Sequence, residues 1–191
     1  MAGSYFTSQF EPAFRFEVPD GWTLDAESQG VVYLHRGTFP DDFVDLYLVA
    51  PGREPFRVAD PPLSTAHRSG VFSAAPFPRD YLTYLGASPY LQAGEVHDDT
   101  LFGLSGRSVD AVVETPDAPF CGGVAGSCFS LFSYGRNSLS EQIEPRGAVM
   151  RVWELERDGR RLIVILAVPD AARLAAAVAT LDAVAQQVRF L

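Results

Sequence analysis

Lysine is absent from this chain: all 15 of its basic residues are arginine, against 24 acidic ones, for a formal net charge of -9. A Walker-type phosphate loop needs its lysine and is therefore excluded, and no Gly-x-Gly-x-x-Gly fingerprint occurs either. An acidic balance also opposes nucleic acid and anionic lipid, since both are held by basic surfaces that release counterions. Long apolar runs are missing too. The longest, Leu162 to Val168, is far short of the roughly 20 residues of a membrane-spanning helix. The opening residues Met1-Ala2-Gly3-Ser4 carry neither the basic nor the apolar segment of a signal peptide.

Only two cysteines are present, Cys121 and Cys128, and they bracket a Gly-rich hexapeptide, Gly122 to Ser127. That spacing lets both sulfurs meet, and a disulfide closing so short a ring would stabilise the fold by roughly 2.5 kcal/mol in the loop-entropy picture. Two reduced cysteines in a cytosolic loop are the alternative. Structural zinc would need a second pair of Cys or His at suitable spacing. A disulfide implies an oxidising, extracytoplasmic setting, with any leader lying outside these 191 residues.

What is present is the composition of a folded protein, 47% hydrophobic and 12% aromatic with 20% charged residues. No repeat or low-complexity linker divides it, so residues 1–191 read as one domain, with 1–9 as a flexible opening segment. Phe14-Arg15-Phe16-Glu17-Val18 alternates as a half-buried strand does, and Pro19-Asp20-Gly21 turns the chain. Short β-rich runs follow at 22–25, 31–35 and 43–50, then a Pro-rich irregular crossing at 51–62. Residues 79–86 read as a short helix. Strands are expected near 95–102 and 106–114, joined through Gly103-Leu104-Ser105-Gly106.

The clearest local signal is a hairpin over 148–168, in which Asp158-Gly159 supplies the positive φ angles of a type I′ turn. Its second arm, Leu162 to Val168, shows no polar alternation, which predicts a central strand covered on both faces. Pro169-Asp170 then caps a helix whose Leu174, Val178, Leu181, Val184 and Val188 form one apolar stripe.

Two of these stretches carry a likeness. Phe14-x-Phe16-x-Val18-Pro19-x-Gly21-Trp22, together with the terminal hairpin and the helix ending in Val188-Arg189-Phe190, resembles the secreted PsbP-like and LpqN-like domains. The resemblance implies an α+β fold, an antiparallel β-sheet covered by helices on both faces in a PsbP-like α/β/α sandwich. It further implies a domain of the bacterial cell envelope, in the manner of secreted lipoproteins, that acts by binding rather than catalysis. It brings no catalytic residue and no cofactor.

The residues able to carry chemistry are few. His35, His67 and His97 form no His-x-His or His-x-x-x-His pair, so no metal site is expected. His97, Asp98 and Ser105 invite, as the alternative function, a small hydrolase of the Ser-His-Asp kind or a metal-dependent enzyme built on a tertiary cluster, although Arg107 stands where a Gly-x-Ser-x-Gly elbow needs glycine. Asp41, Asp42 and Asp45 could offer oxygens to calcium but lack the spacing of an EF-hand loop. Phe72, Phe77, Tyr81, Tyr84 and Tyr90 concentrate among prolines and form the candidate binding surface, for a protein or a small ligand. Burial of the same rings against a sheet edge is the plainer reading.

Overall fold

The computed structural model describes residues 3–7, 9–39, 41–53, 56–59, 74–114, 128–134 and 140–191. The chain begins with β1 (Gly3–Phe6) and β2 (Phe14–Val18), then runs through β3 (Thr23–Glu27), β4 (Val31–Thr38) and β5 (Asp42–Val49). Two short strands, β6 (Arg57–Ala59) and β7 (Ala74–Pro76), precede α1 (Tyr81–Gly86). Next come β8 (Leu91–Ala93), β9 (His97–Leu101) and β10 (Leu104–Val113), followed by β11 (Cys128–Tyr134) and β12 (Ser140–Pro145). The hairpin β13 (Val149–Arg157) and β14 (Arg160–Val168) leads into α2 (Ala171–Ala185) and the short β15 (Arg189–Phe190).

Eight strands make the central antiparallel sheet, ordered β3-β4-β5-β14-β13-β10-β8, with β9 paired to β10. As the alternation-free run of β14 requires, this strand is covered on both faces. Leu162, Val164, Leu166 and Val168 enter one apolar core, and Ile163, Ile165 and Ala167 enter the other. At the tip, Asp158 and Gly159 hold φ angles of 52° and 72°, the left-handed pair that a two-residue hairpin demands.

The covers differ from the sandwich expected. Helices do not blanket both faces. On the first face α2 shares the work with a three-stranded sheet, β1-β2-β15, and Phe14, Phe16 and Val18 of β2 pack with Leu174, Ala177 and Leu181. On the second face α1 has only six residues, and a four-stranded sheet, β12-β11-β6-β7, supplies the rest through Phe56, Val58, Leu131 and Phe132. A helix of one and a half turns cannot shield a sheet this wide, so extended chain does it.

Other departures are local. Residues 3–6 of the segment expected to be flexible pair along β2, from Gly3↔Val18 to Phe6↔Arg15. Within the Pro-rich crossing, 57–59 forms a strand because β11 and β7 lie on either side of it. The β9–β10 turn sits at Phe102 and Gly103, with φ of 56° and 72°, rather than across 103–106. Gly106 instead lies inside β10, where a Cβ would stand 2.2 Å from the carbonyl oxygen of Glu154 in β13. Only glycine permits so close an approach.

Candidate binding surface

The β9–β10 hairpin fixes where the residues of the expected Ser-His-Asp set lie. Its register pairs His97 with Ser108, Asp98 with Arg107, Asp99 with Gly106 and Thr100 with Ser105. Side chains alternate between faces along a strand, so Asp98 and Ser105 lie on the face opposite His97. The expected His97, Asp98 and Ser105 are therefore not brought together.

A different trio meets instead: Ser108 Oγ donates to Asp99 Oδ2 at 2.8 Å and lies 3.0 Å from His97 Nε2. Ser108 thus stands between the imidazole and the Asp99 carboxylate, in contact with both. Ser108 is also fully buried, and Trp153 Nε1 donates to the same Asp99 oxygen at 2.8 Å. Burial pushes the Asp99 carboxyl up, but the bonds from Ser108, the Thr100 N–H and Trp153 outweigh it and hold the group below the usual carboxylate range. The cluster ties β9, β10 and β13 together as a polar knot.

The aromatic stretch builds a ridge beside α1. Asp80, in extended backbone conformation, caps this helix, its carboxylate accepting from the Thr83 N–H at 2.9 Å. Tyr81 stacks on Phe77 with centroids 4.7 Å apart and on Tyr84 at 5.8 Å, the planes 24° and 13° apart. Tyr81 is buried, and its hydroxyl donates to the Leu131 carbonyl at 2.9 Å, so this ring presents no surface of its own. Phe77, Tyr84 and Tyr90 are half-buried and pack against the second core. Arg161 lies 5.7 Å from the Phe77 ring and donates through Nη1 to the Pro78 carbonyl at 2.9 Å and to that of Arg79. Phe72 lies outside the described residues, as do His67 and Cys121.

Sequence reasoning missed the most unusual group, a pair of buried carboxyls between the central sheet and the small β11–β12 sheet. Asp45 of β5 takes a hydrogen bond from Tyr33 at 3.0 Å, and the Tyr47 hydroxyl lies 3.5 Å from Asp45 and 3.4 Å from Glu144 of β12. Glu144 is fully buried and its Oε2 has no hydrogen-bond partner among the described residues. Burial raises the Asp45 carboxyl to about 6 and raises Glu144 well above its ordinary value, the charge of Asp45 adding to the second shift. Asp45 thus parts from Asp41 and Asp42, which are exposed. Asp42 pairs with Arg173 of α2 at 2.5 Å, so the three carboxylates do not converge as calcium ligands. Among the described residues no group of three or more Asp, Glu, His or Cys side chains could hold a metal ion, and no helix is long and apolar enough to cross a membrane.

No protein-family model matches the chain, and no curated protein sequence does. Among solved structures it is similar to cyanobacterial PsbP (CyanoP) from Synechocystis sp. PCC 6803, at 16% identity and a TM-score of 0.46 over 100% of this chain and 94% of that one. It is similar also to LpqN, involved in cell envelope biogenesis of Mycobacterium tuberculosis, at 14% identity and a TM-score of 0.43 over 98% of this chain and 90% of that one. These are the two kinds of domain that the opening strand-turn and the terminal hairpin-helix resemble. At such values neither brings a site or an activity to this chain.

Proposed function

We propose that this chain is a non-catalytic, extracytoplasmic binding domain that engages a protein or small ligand through the exposed portions of Phe77, Tyr84 and Tyr90. The observation that carries the reading is the stacked ladder Phe77–Tyr81–Tyr84, locked from below by the bond from Tyr81 to Leu131. Rings held this way have already lost their rotamer freedom in the fold, so a partner meets a rigid, amphipathic surface at little further entropic cost. The extracytoplasmic setting rests on the pairing of Cys121 with Cys128, expected from their spacing. Against the hydrolase stands the burial of Ser108, which is closed off from solvent in the fold.

A photo-crosslinking amino acid at Tyr84, expressed in the native host, tests the binding surface against the same amino acid at Thr180 on α2. A discrete adduct at Tyr84, absent at Thr180, is the expected outcome; equal labelling of both sites, or none, refutes the ridge as a binding surface. Assays with generic ester, phosphate and peptide substrates are expected to show no turnover that His97→Ala removes.

A further inference from the structure

The eight-stranded sheet and the four-stranded sheet β12-β11-β6-β7 share no hydrogen-bonded ladder. The smaller sheet is fastened to the second face by the packing of Phe56, Val58, Leu131 and Phe132, and by a bond from the Tyr81 hydroxyl to the Leu131 carbonyl at 2.9 Å. A boundary of this kind can part without breaking either ladder. The carboxyls of Asp45 and Glu144 are buried along it, one contributed from each sheet.

Cross-strand pairing sets Asp45 opposite His35 and Tyr47 opposite Tyr33, so these four side chains share one face. From β12, Glu144 meets the Tyr47 hydroxyl at 3.4 Å, and from β11 the Phe132 ring meets the Tyr47 ring edge-on at 5.9 Å. Asp25 of β3 holds His35 at 2.7 Å at the part-exposed rim of the cluster. The charge of Asp25 opposes ionisation of Asp45, and a protonated His35 favours it. Among the described residues no arginine pairs with either buried carboxyl, and the hydrogen bonds they receive come from phenols. Tyr47 has one proton to offer two carboxylates, so ionising both leaves like charges facing each other in a seam that water does not reach.

We propose that the Asp45–Glu144 seam is a pH-operated latch: with its protons in place the small sheet is closed over the second core, and ionisation of the two carboxyls releases it, baring Leu131 and Phe132 while the first core stays packed. Burial raises Asp45 to about 6 and Glu144 well above its ordinary value, so the closed form holds the extra protons and is favoured at low pH. Each proton that must leave makes opening up to about tenfold more favourable per pH unit. The latch does not depend on the aromatic ridge being a binding surface.

Methyl NMR of the full chain with a soluble gadolinium chelate, taken from about pH 5 to about pH 8, tests the latch. Paramagnetic broadening of the Leu131 methyls should climb above about pH 6, by up to about tenfold per pH unit for each proton lost, while Leu181 in the first core keeps its low-pH value. Glu144→Gln and Asp45→Asn each remove one ionisation, so either should cut the rise at Leu131 by about tenfold or more at about pH 8. Leu131 and Leu181 broadening together would mean that the whole fold loosens, and would overturn the latch. So would a flat Leu131 in the parent, or an undiminished climb in the variants. Having two variants keeps the test decisive should one of them fail to fold.

Discussion

Glu144 is the residue whose chemistry is least reconciled with its surroundings, a fully buried carboxyl with one oxygen unpaired among the described residues and Asp45 nearby. Its proton is part of the packing. In the unfolded chain both carboxyls titrate near their ordinary values, whereas in the fold Asp45 titrates at about 6 and Glu144 higher still. The native state therefore binds more protons than the unfolded state above pH ~4, and stability must fall as pH rises. The contribution of this pair is complete below about pH 4, is lost for Asp45 by way of pH 6, and continues to be lost for Glu144 above it. Asp80 and Asp99, held below the usual range, act in the opposite direction only in stronger acid. Glu144→Gln keeps the shape and removes the ionisation, so urea denaturation at pH 7 should show a gain on the order of 1–3 kcal/mol that shrinks toward pH 4. A variant less stable than its parent across this range would mean that Glu144 has a partner in its charged form.

Residue patterns foretold this pair poorly, and the reason is parity. Val44 and Leu46 enter the first core while Asp45 turns to the opposite, equally covered face of β5 with Tyr47, in an acidic stretch that reads as solvated loop. The Ser-His-Asp expectation failed on the same point. His97 and Asp98 are adjacent on β9 and so face opposite ways, and Ser105, paired with Thr100, shares the face of Asp98. Ser108, not Ser105, is the serine opposite His97.

Among the elements, those read well are the ones made by near neighbours: the Asp158-Gly159 hairpin, the Asp170 cap, and the α2 stripe. Asp170 accepts from the N–H groups of Ala172 and Arg173, at 2.9 and 3.2 Å. The small sheet of β6, β7, β11 and β12 was not legible, because its pairings join remote segments, such as Ser133↔Arg57, with little periodicity in any one strand. On α2 the stripe makes a sharp contrast. Leu181 is 3% exposed in the first core, while Gln186 is exposed at the C-cap. Truncating a buried leucine removes its transfer energy and leaves a cavity, so Leu181→Ala should cost about 2–5 kcal/mol, and Gln186→Ala should stay within about 0.5 kcal/mol. Equal urea midpoints with unchanged slopes would show that α2 does not carry the first core.

For the whole molecule, the Cys121–Cys128 bridge is the remaining covalent question. Cys121 lies outside the described residues, while Cys128 opens β11, a strand of the sheet that closes the second core. A bridge there would restrain the entry to that sheet. Thiol titration of unfolded, unreduced protein should find no free thiol, and reduction should lower stability by about 2–3 kcal/mol. Two titratable thiols would remove both the bridge and the argument for an oxidising compartment.

The central sheet also parts the molecule into two cores that touch only through its backbone. Ile163 and Val164 are neighbours in sequence yet belong to different cores, whereas Val164 and Leu181, far apart in the chain, share one. Energetic coupling follows shared packing rather than adjacency. Over evolutionary time the two sides of β14 are thus free to drift separately. A volume lost at Val164 can be restored from α2 or β2, and nothing that happens at Ile163 can compensate for it.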